Sequence, residues 1–197
     1  MFTGIIREIG TVAALRKSRG LVQLDIRAPR TAGRVGLMES VAINGVCLTV
    51  VGVEGSKISF EVIPETQRLT GLRDLAPGRS LHVEPSLALS DRMNGHVVLG
   101  HVDGLGKIAR RQARAAELTL WIEIPAAMRK LIVPKGPIAV DGVSLTVGES
   151  PTRKAFASPR ICRSWVTTTV RSPCASRHRS RLCTCRSATW AARPPKN

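Results

Sequence analysis

The segment Ser40–Val50, SVAINGVCLTV, recurs 97 residues later as Pro137–Val147, PIAVDGVSLTV. Six of the eleven positions are identical, and four more exchange near-equivalents: Val/Ile, Ile/Val, Asn/Asp and Cys/Ser. A period of this length is too long for a stacked solenoid, so it describes two copies of one small domain. The duplication extends outward. Gly4-Ile5-Ile6 with Ile9–Val12 matches Gly100-His101-Val102 with Leu105–Ile108 at an offset of 96. The boundary therefore falls near residues 88–98, with one domain over 1–90 and a second over 96–150. Two copies of one domain predict two related binding sites on one chain.

The local patterns are those of an all-β chain. Ile58, Phe60 and Val62 alternate with Ser59 and Glu61 in KISFEVIP, and Leu118, Leu120, Ile122 and Ile124 alternate across ELTLWIEIP. That is the period of half-buried strands. Leu81 and Val83 read as another strand after the turn Ala76-Pro77-Gly78. Asn44-Gly45 and Asp141-Gly142 stand between apolar runs, as residue pairs that accept positive φ in tight hairpin turns do. Short strands with turn signals every 8–12 residues predict Greek-key barrels or sandwiches, with a helical turn or two at Ala126–Leu131.

The second copy does not finish as the first does. Copy one runs on through SFEVIPETQRLTGLRDLAPGRSLHVEP, whereas the matching stretch of copy two reads ASPRICRSWVTTTVRSPCASRHRSRLCTC. Residues 151–197 hold eleven Lys/Arg and no acidic residue, one Leu and one Ile. The expectation is a second barrel left incomplete and an irregular, disordered basic tail, produced where translation left the ancestral reading frame near residues 150–157.

The formal net charge of +16 points at first to a polyanion partner. The first 150 residues, however, hold nineteen basic residues against all fourteen acidic ones. The excess sits in the tail, which would bind nucleic acid only non-specifically through phosphates and lacks interleaved aromatics for stacking. Four of five cysteines, Cys162, Cys174, Cys183 and Cys185, lie there too, and with His178 they match no common zinc spacing. No apolar run reaches membrane-span length, and MFTGIIREIG is not a secretory signal. The reading is a cytoplasmic protein with no membrane, metal or specific nucleic-acid partner.

Several segments now assembled resemble the alpha-type riboflavin synthase family. They are Met1–Ile6 (MFTGII), NGVCLTV and DGVSLTV, IPET at Ile63–Thr66, and the Gly95-His96…Gly100-His101 pair. The match covers residues 1–149 and does not extend into 151–197. It implies two homologous six-stranded Greek-key barrels and a C-terminal helix that assembles a homotrimer. The implied reaction is a transferase dismutation without an external cofactor. Two molecules of 6,7-dimethyl-8-ribityllumazine give riboflavin and 5-amino-6-(D-ribitylamino)uracil, the last step of riboflavin biosynthesis. Association with lumazine synthase is a further partner of that kind. The alternative is a non-catalytic lumazine- or flavin-binding protein.

Read alone, Cys47 in VCLTV is more often a small buried hydrophobe. The resemblance places it against the bound pteridine, with Ser144 as its unequal partner in the second cradle. His96 and His101 lack a third metal ligand and read as polar rim residues; the resemblance makes His101, Gly100 and Val102 pteridine contacts and His96 a proton shuttle. An imidazole suits removal of a proton from the acidic 7-methyl group. Phe2, Gly4, Ile5 and Ile6 otherwise pass as a first strand, but by resemblance reach into the site. Leu48, Thr49, Glu61, Val62, Ile63, Pro64, Glu65 and Thr66 line the first cradle by the same reasoning, and Leu145 and Thr146 the second. Lys135 is a solvated turn residue whose family counterpart reaches a neighbouring subunit's ligand. Asp141 is the first residue of its turn, or a catalytic group by resemblance. From the unfinished second copy, weak or absent turnover is expected.

Overall fold

Strand alternation, interrupted by glycine-bearing turns, folds the chain into two six-stranded barrels. The computed structural model describes residues 1–18, 20–114, 117–148, 156–158 and 167–171. In the first copy β1 (Glu8–Ser18), β2 (Leu21–Arg27), β3 (Ser40–Ile43), β4 (Val46–Glu54), β5 (Lys57–Val62) and β6 (Ser80–Pro85) close in the order β1-β2-β5-β4-β3-β6. Every neighbouring pair in that ring is antiparallel. Two short helices, α1 (Pro29–Ala32) and α2 (Pro64–Leu69), follow β2 and β5.

The duplicated turns explain the hairpins. Asn44 and Gly45 have φ of 47° and 81°, and Asp141 and Gly142 have 48° and 82°. These are the left-handed pairs that match the twist of a two-residue hairpin. They set Ile43 opposite Val46 and Val140 opposite Val143. Bulges at Val12/Ala14 and, 96 residues on, at Ile108/Arg110 bend β1 and its counterpart enough for closure. Within the first barrel Leu24, Ile26, Ile58, Phe60, Val50 and Val83 are wholly buried. Gly10 admits this core, because a Cβ there would lie 2.9 Å from Val83 Cγ2 and 3.0 Å from Ile26 Cγ2. Glu8 closes one end. Its carboxylate accepts from the amides of Arg30 and Thr31 (3.1 and 2.8 Å) and from the Thr31 hydroxyl, supplying the cap that Ala28 cannot.

The second copy contributes β7 (Val102–Arg114), β8 (Glu117–Glu123), β9 (Pro137–Val140) and β10 (Val143–Gly148) around a smaller core of Ile122, Ile138, Val140 and Val147. A 3₁₀ turn stands at Ala126–Leu131, as the sequence predicts. The all-β, two-barrel expectation therefore holds, with one correction. The second ring is closed rather than incomplete. It is completed by β11 (Phe156–Ser158) and β12 (Thr167–Arg171), in the order β10-β11-β8-β7-β12-β9. Unpaired edges of β7 and β9 recruit backbone whatever its side chains. Yet β12 runs parallel to both neighbours, whereas its counterpart β6 is antiparallel to both of its own. TTTVR has no apolar alternation to dictate a face or a register. The remaining expectation for the tail, including its cysteines, falls on residues outside those described. Among the described residues no helix is long and apolar enough to cross a membrane.

The barrels meet across a local twofold built from duplicated residues. Phe2 and Val98 exchange both backbone hydrogen bonds, at 2.8 and 2.9 Å. Ala42 and Ala139, another duplicated pair, join them in a buried cluster. The two turn tips also touch, since a Cβ at Gly142 would come within 2.8 Å of the Gly45 nitrogen.

Candidate functional site: two unequal cradles

Alternation along β4 decides which face of the repeat is chemically available. Val46, Leu48 and Val50 point into the barrel, while Thr49 is exposed and Cys47 is half-buried against the cluster of Phe2, Ala42, Val98 and Ala139. Leu48 is therefore part of the core. Val62 is core as well, whereas Glu61, Ile63, Pro64 and Glu65 are exposed at the β5–α2 corner. Glu65 is held by Arg68 at 2.6 and 3.0 Å, and the Thr66 carbonyl accepts from Thr70.

Each barrel's repeat is met by the other barrel's entry segment. The Cys47 amide donates to the Gly100 carbonyl at 2.9 Å, and the Ser144 amide donates to the Gly4 carbonyl at 2.8 Å. Both glycines have positive φ, 82° and 74°, and both lie against the facing residue. A Cβ at Gly100 would sit 2.6 Å from Cys47 Cβ, and one at Gly4 would sit 2.8 Å from Ser144 Cβ. Val102 packs on the core of the first barrel, and α2 lies alongside β7. Gly100, His101 and Val102 thus flank the Cys47 cradle, and Gly4, Ile5 and Ile6 flank the Ser144 cradle.

The sites differ in chemistry. His96 Nδ1 lies 2.7 Å from Ser144 Oγ, and the His96 amide donates to the Thr3 carbonyl at 3.1 Å. Burial lowers the His96 pKa below its ordinary value, which favours the uncharged ring. Leu145 packs at half-depth on the second core. Thr146 is buried, and among the described residues its hydroxyl finds no hydrogen-bond partner. His101 is exposed beside Gly100. The structure therefore sets His96 with Ser144 and His101 near Cys47.

Two residues stand apart from this grouping. Lys135 has φ of 63°, is exposed, and donates its amide to Val147 at 2.8 Å. Its place repeats that of Met38, whose amide bonds Val50. Asp141 occupies the hairpin turn at the barrel junction, where its carbonyl accepts from His82 Nδ1 at 2.8 Å; His82 in turn donates its amide to Asn44 Oδ1 at 2.7 Å.

Glu84 is the residue that sequence reading passes over. It is 4% exposed and accepts from the Thr3 amide and hydroxyl, both at 2.7 Å, and from the Gly4 amide at 3.1 Å. Burial raises its pKa against the lowering pull of those bonds. No local pattern marks it, since a charged residue late in a strand ordinarily faces water. Among the described residues no group of three His, Cys, Asp or Glu could hold a metal ion.

Comparison with known proteins fits this arrangement. The family profile "Lumazine binding domain" matches residues 3–86 and again 99–173. Its second match takes in the segments of β11 and β12, whereas the curated relatives below match over 147 and 148 residues. Riboflavin synthase of Bacillus subtilis (strain 168) is 38% identical over 147 residues, covering 75% of this chain and 68% of that protein. Riboflavin synthase of Mycobacterium tuberculosis (strain ATCC 25618 / H37Rv) is 40% identical over 148 residues, covering 75% and 74%. Among solved structures, LumP complexed with 6,7-dimethyl-8-(1'-D-ribityl) lumazine has a similar fold, with a TM-score of 0.71 at 23% identity over 81% of this chain and 86% of that one. LumP complexed with riboflavin gives 0.69 at 22% identity over the same shares. The paired profile matches and the extent of identity show that the chain belongs to the riboflavin synthase family of lumazine-binding-domain proteins.

Proposed function

We propose that this chain binds 6,7-dimethyl-8-ribityllumazine and riboflavin, and that its reaction is dismutation of two such lumazines. One molecule gives up a four-carbon unit and leaves as 5-amino-6-(D-ribitylamino)uracil; the other accepts it and becomes riboflavin. The observation that carries this reading is the reciprocal backbone pair, Cys47 to Gly100 and Ser144 to Gly4. Two related cradles suit a reaction whose two substrates are one compound. Their unequal side chains suit a reaction that treats those substrates differently. His96 beside Ser144, its uncharged ring favoured by burial, is suited to remove a proton from the 7-methyl group. Holding the two heterocycles face to face supplies the larger part of the rate, since orientation is worth about 7–11 kcal/mol. By family analogy the sites lie between subunits of a homotrimer.

Turnover by this exact chain is weak. The parallel β12 replaces the antiparallel closing strand, and the sequence after β11 has no counterpart of Ile63–Thr66. These two features also favour a second reading, a lumazine- or flavin-binding protein without turnover. Fluorescence titration with lumazine and riboflavin, run beside an assay of riboflavin formation, separates the cases. Saturable binding with slow formation supports the first reading, and binding with none supports the second. Formation at the rate of a full-length relative overturns the weak-turnover claim, and absence of binding overturns both.

A further inference from the structure

The hydrogen bonds around Glu84 form a closed circuit that crosses the barrel junction. Glu84 Oε1 accepts from the Thr3 amide and hydroxyl, and the Thr3 carbonyl accepts from the His96 amide. His96 Nδ1 meets Ser144 Oγ at 2.7 Å, the Ser144 amide donates to Gly4, and the Gly4 amide returns to Glu84 Oε2 at 3.1 Å. Five residues from β6, the N-terminal segment, the inter-barrel linker and β10 thus fix one another. The packing leaves no slack: a Cβ at Gly95 would run into the Thr3 carbonyl oxygen.

We propose that Glu84, from inside the first barrel, is the positioning residue for the His96–Ser144 pair of the second cradle. It acts through Thr3 and Gly4. Thr3 offers its amide and hydroxyl and Gly4 its amide, and a two-oxygen acceptor takes both amides and the hydroxyl at once. A buried carboxylate is costly unless its oxygens are fully engaged. Here the engagement is spent on a segment whose opposite edge carries His96. The inference rests on the assignment of His96 and Ser144 to a ligand cradle only for its functional meaning; the mechanical coupling is independent of it.

The test is an NMR titration of the His96 ring in the full chain, assigned with His96→Gln, for wild type, Glu84→Gln and Thr3→Val, with Thr3→Ser as the conservative restoration. Glutamine offers one acceptor where the carboxylate offers two, so the Thr3–Gly4 segment loosens and the ring gains access to water. The expected result is an upward shift of the His96 titration toward the ordinary imidazole value by about half a pH unit or more. Thr3→Val is expected to shift it in the same direction, and Thr3→Ser to restore the wild-type value. Glu84→Gln lowering the melting temperature with the His96 titration unmoved would overturn the proposal, leaving a purely structural role. A downward shift would also overturn it, since that marks direct loss of a neighbouring negative charge. If Glu84→Gln does not fold, the Thr3 pair decides alone. Lumazine binding by the same samples is read separately: coupling without binding defeats the functional assignment and leaves the positioning role standing.

Discussion

Gly100 lies against Cys47 so closely that the two backbones share a 2.9 Å hydrogen bond and no room remains for a Cβ. Gly4 repeats the relationship with Ser144 in the other barrel. The duplicated domain is thus more than two copies in tandem. Each copy donates a glycine-bearing entry segment to the wall of its twin, and that exchange places a thiol in one cradle and a hydroxyl–imidazole pair in the other.

Gly100→Ala should be costly for two separable reasons. The residue has φ of 82°, and the added carbon would lie 2.6 Å from Cys47 Cβ and 3.0 Å from Phe2 Cε2. Left-handed strain and overpacking together are expected to destabilise the fold by roughly 2–4 kcal/mol. Gly20 also has φ of 82° but nothing within 4 Å of its would-be Cβ, so Gly20→Ala should cost only about 1 kcal/mol. Urea denaturation of both variants measures the difference, and equal losses would show that the Cys47 contact is not tight.

Asn44 combines a φ of 47° with a hydrogen bond from the His82 amide to its side chain at 2.7 Å. Asn44→Ala loses both features and is expected to cost about 2 kcal/mol. Asn44→Gly loses only the bond, because glycine accepts that φ, and should recover about half of the loss. Equal stability of the alanine and glycine variants, read by thermal melting, would mean that turn strain contributes nothing.

His96 and Glu84 should give opposite pH dependences. Burial holds the folded pKa of His96 below 6.5, so just below that pH the unfolded chain binds the extra proton and stability falls as pH falls. Burial holds the folded pKa of Glu84 above 4.5, so just above that pH the folded chain binds the extra proton and stability falls as pH rises. Stability curves for His96→Gln and Glu84→Gln, each subtracted from wild type, are expected to slope in opposite directions through those windows. Two flat difference curves would show that neither group is desolvated as its burial indicates.

The two barrels and their hairpins are legible in sequence because their causes are local: strand alternation, and Asn-Gly and Asp-Gly between apolar runs. Cys47, Ser144, His96 and Gly100 are also legible as residues worth watching. Their pairing is not, because Gly100 meets Cys47 and Gly4 meets Ser144 only after the barrels dock about a twofold that no local pattern encodes. Glu84 escapes for a related reason: its three donors come from residues some eighty positions earlier. The closing strand of the second barrel is hardest of all. TTTVR carries no alternation, so backbone demand at the β7 and β9 edges, rather than side-chain pattern, fixes where β12 lies.

Fluorescence titration of the purified full chain with 6,7-dimethyl-8-ribityllumazine, beside measurement of riboflavin formed, most directly tests the central claim of lumazine cradles with impaired chemistry. The expected result is saturable binding, weakened by Gly100→Ala, with riboflavin formed far more slowly than by a full-length relative. Absence of saturable binding by the wild-type chain would contradict it.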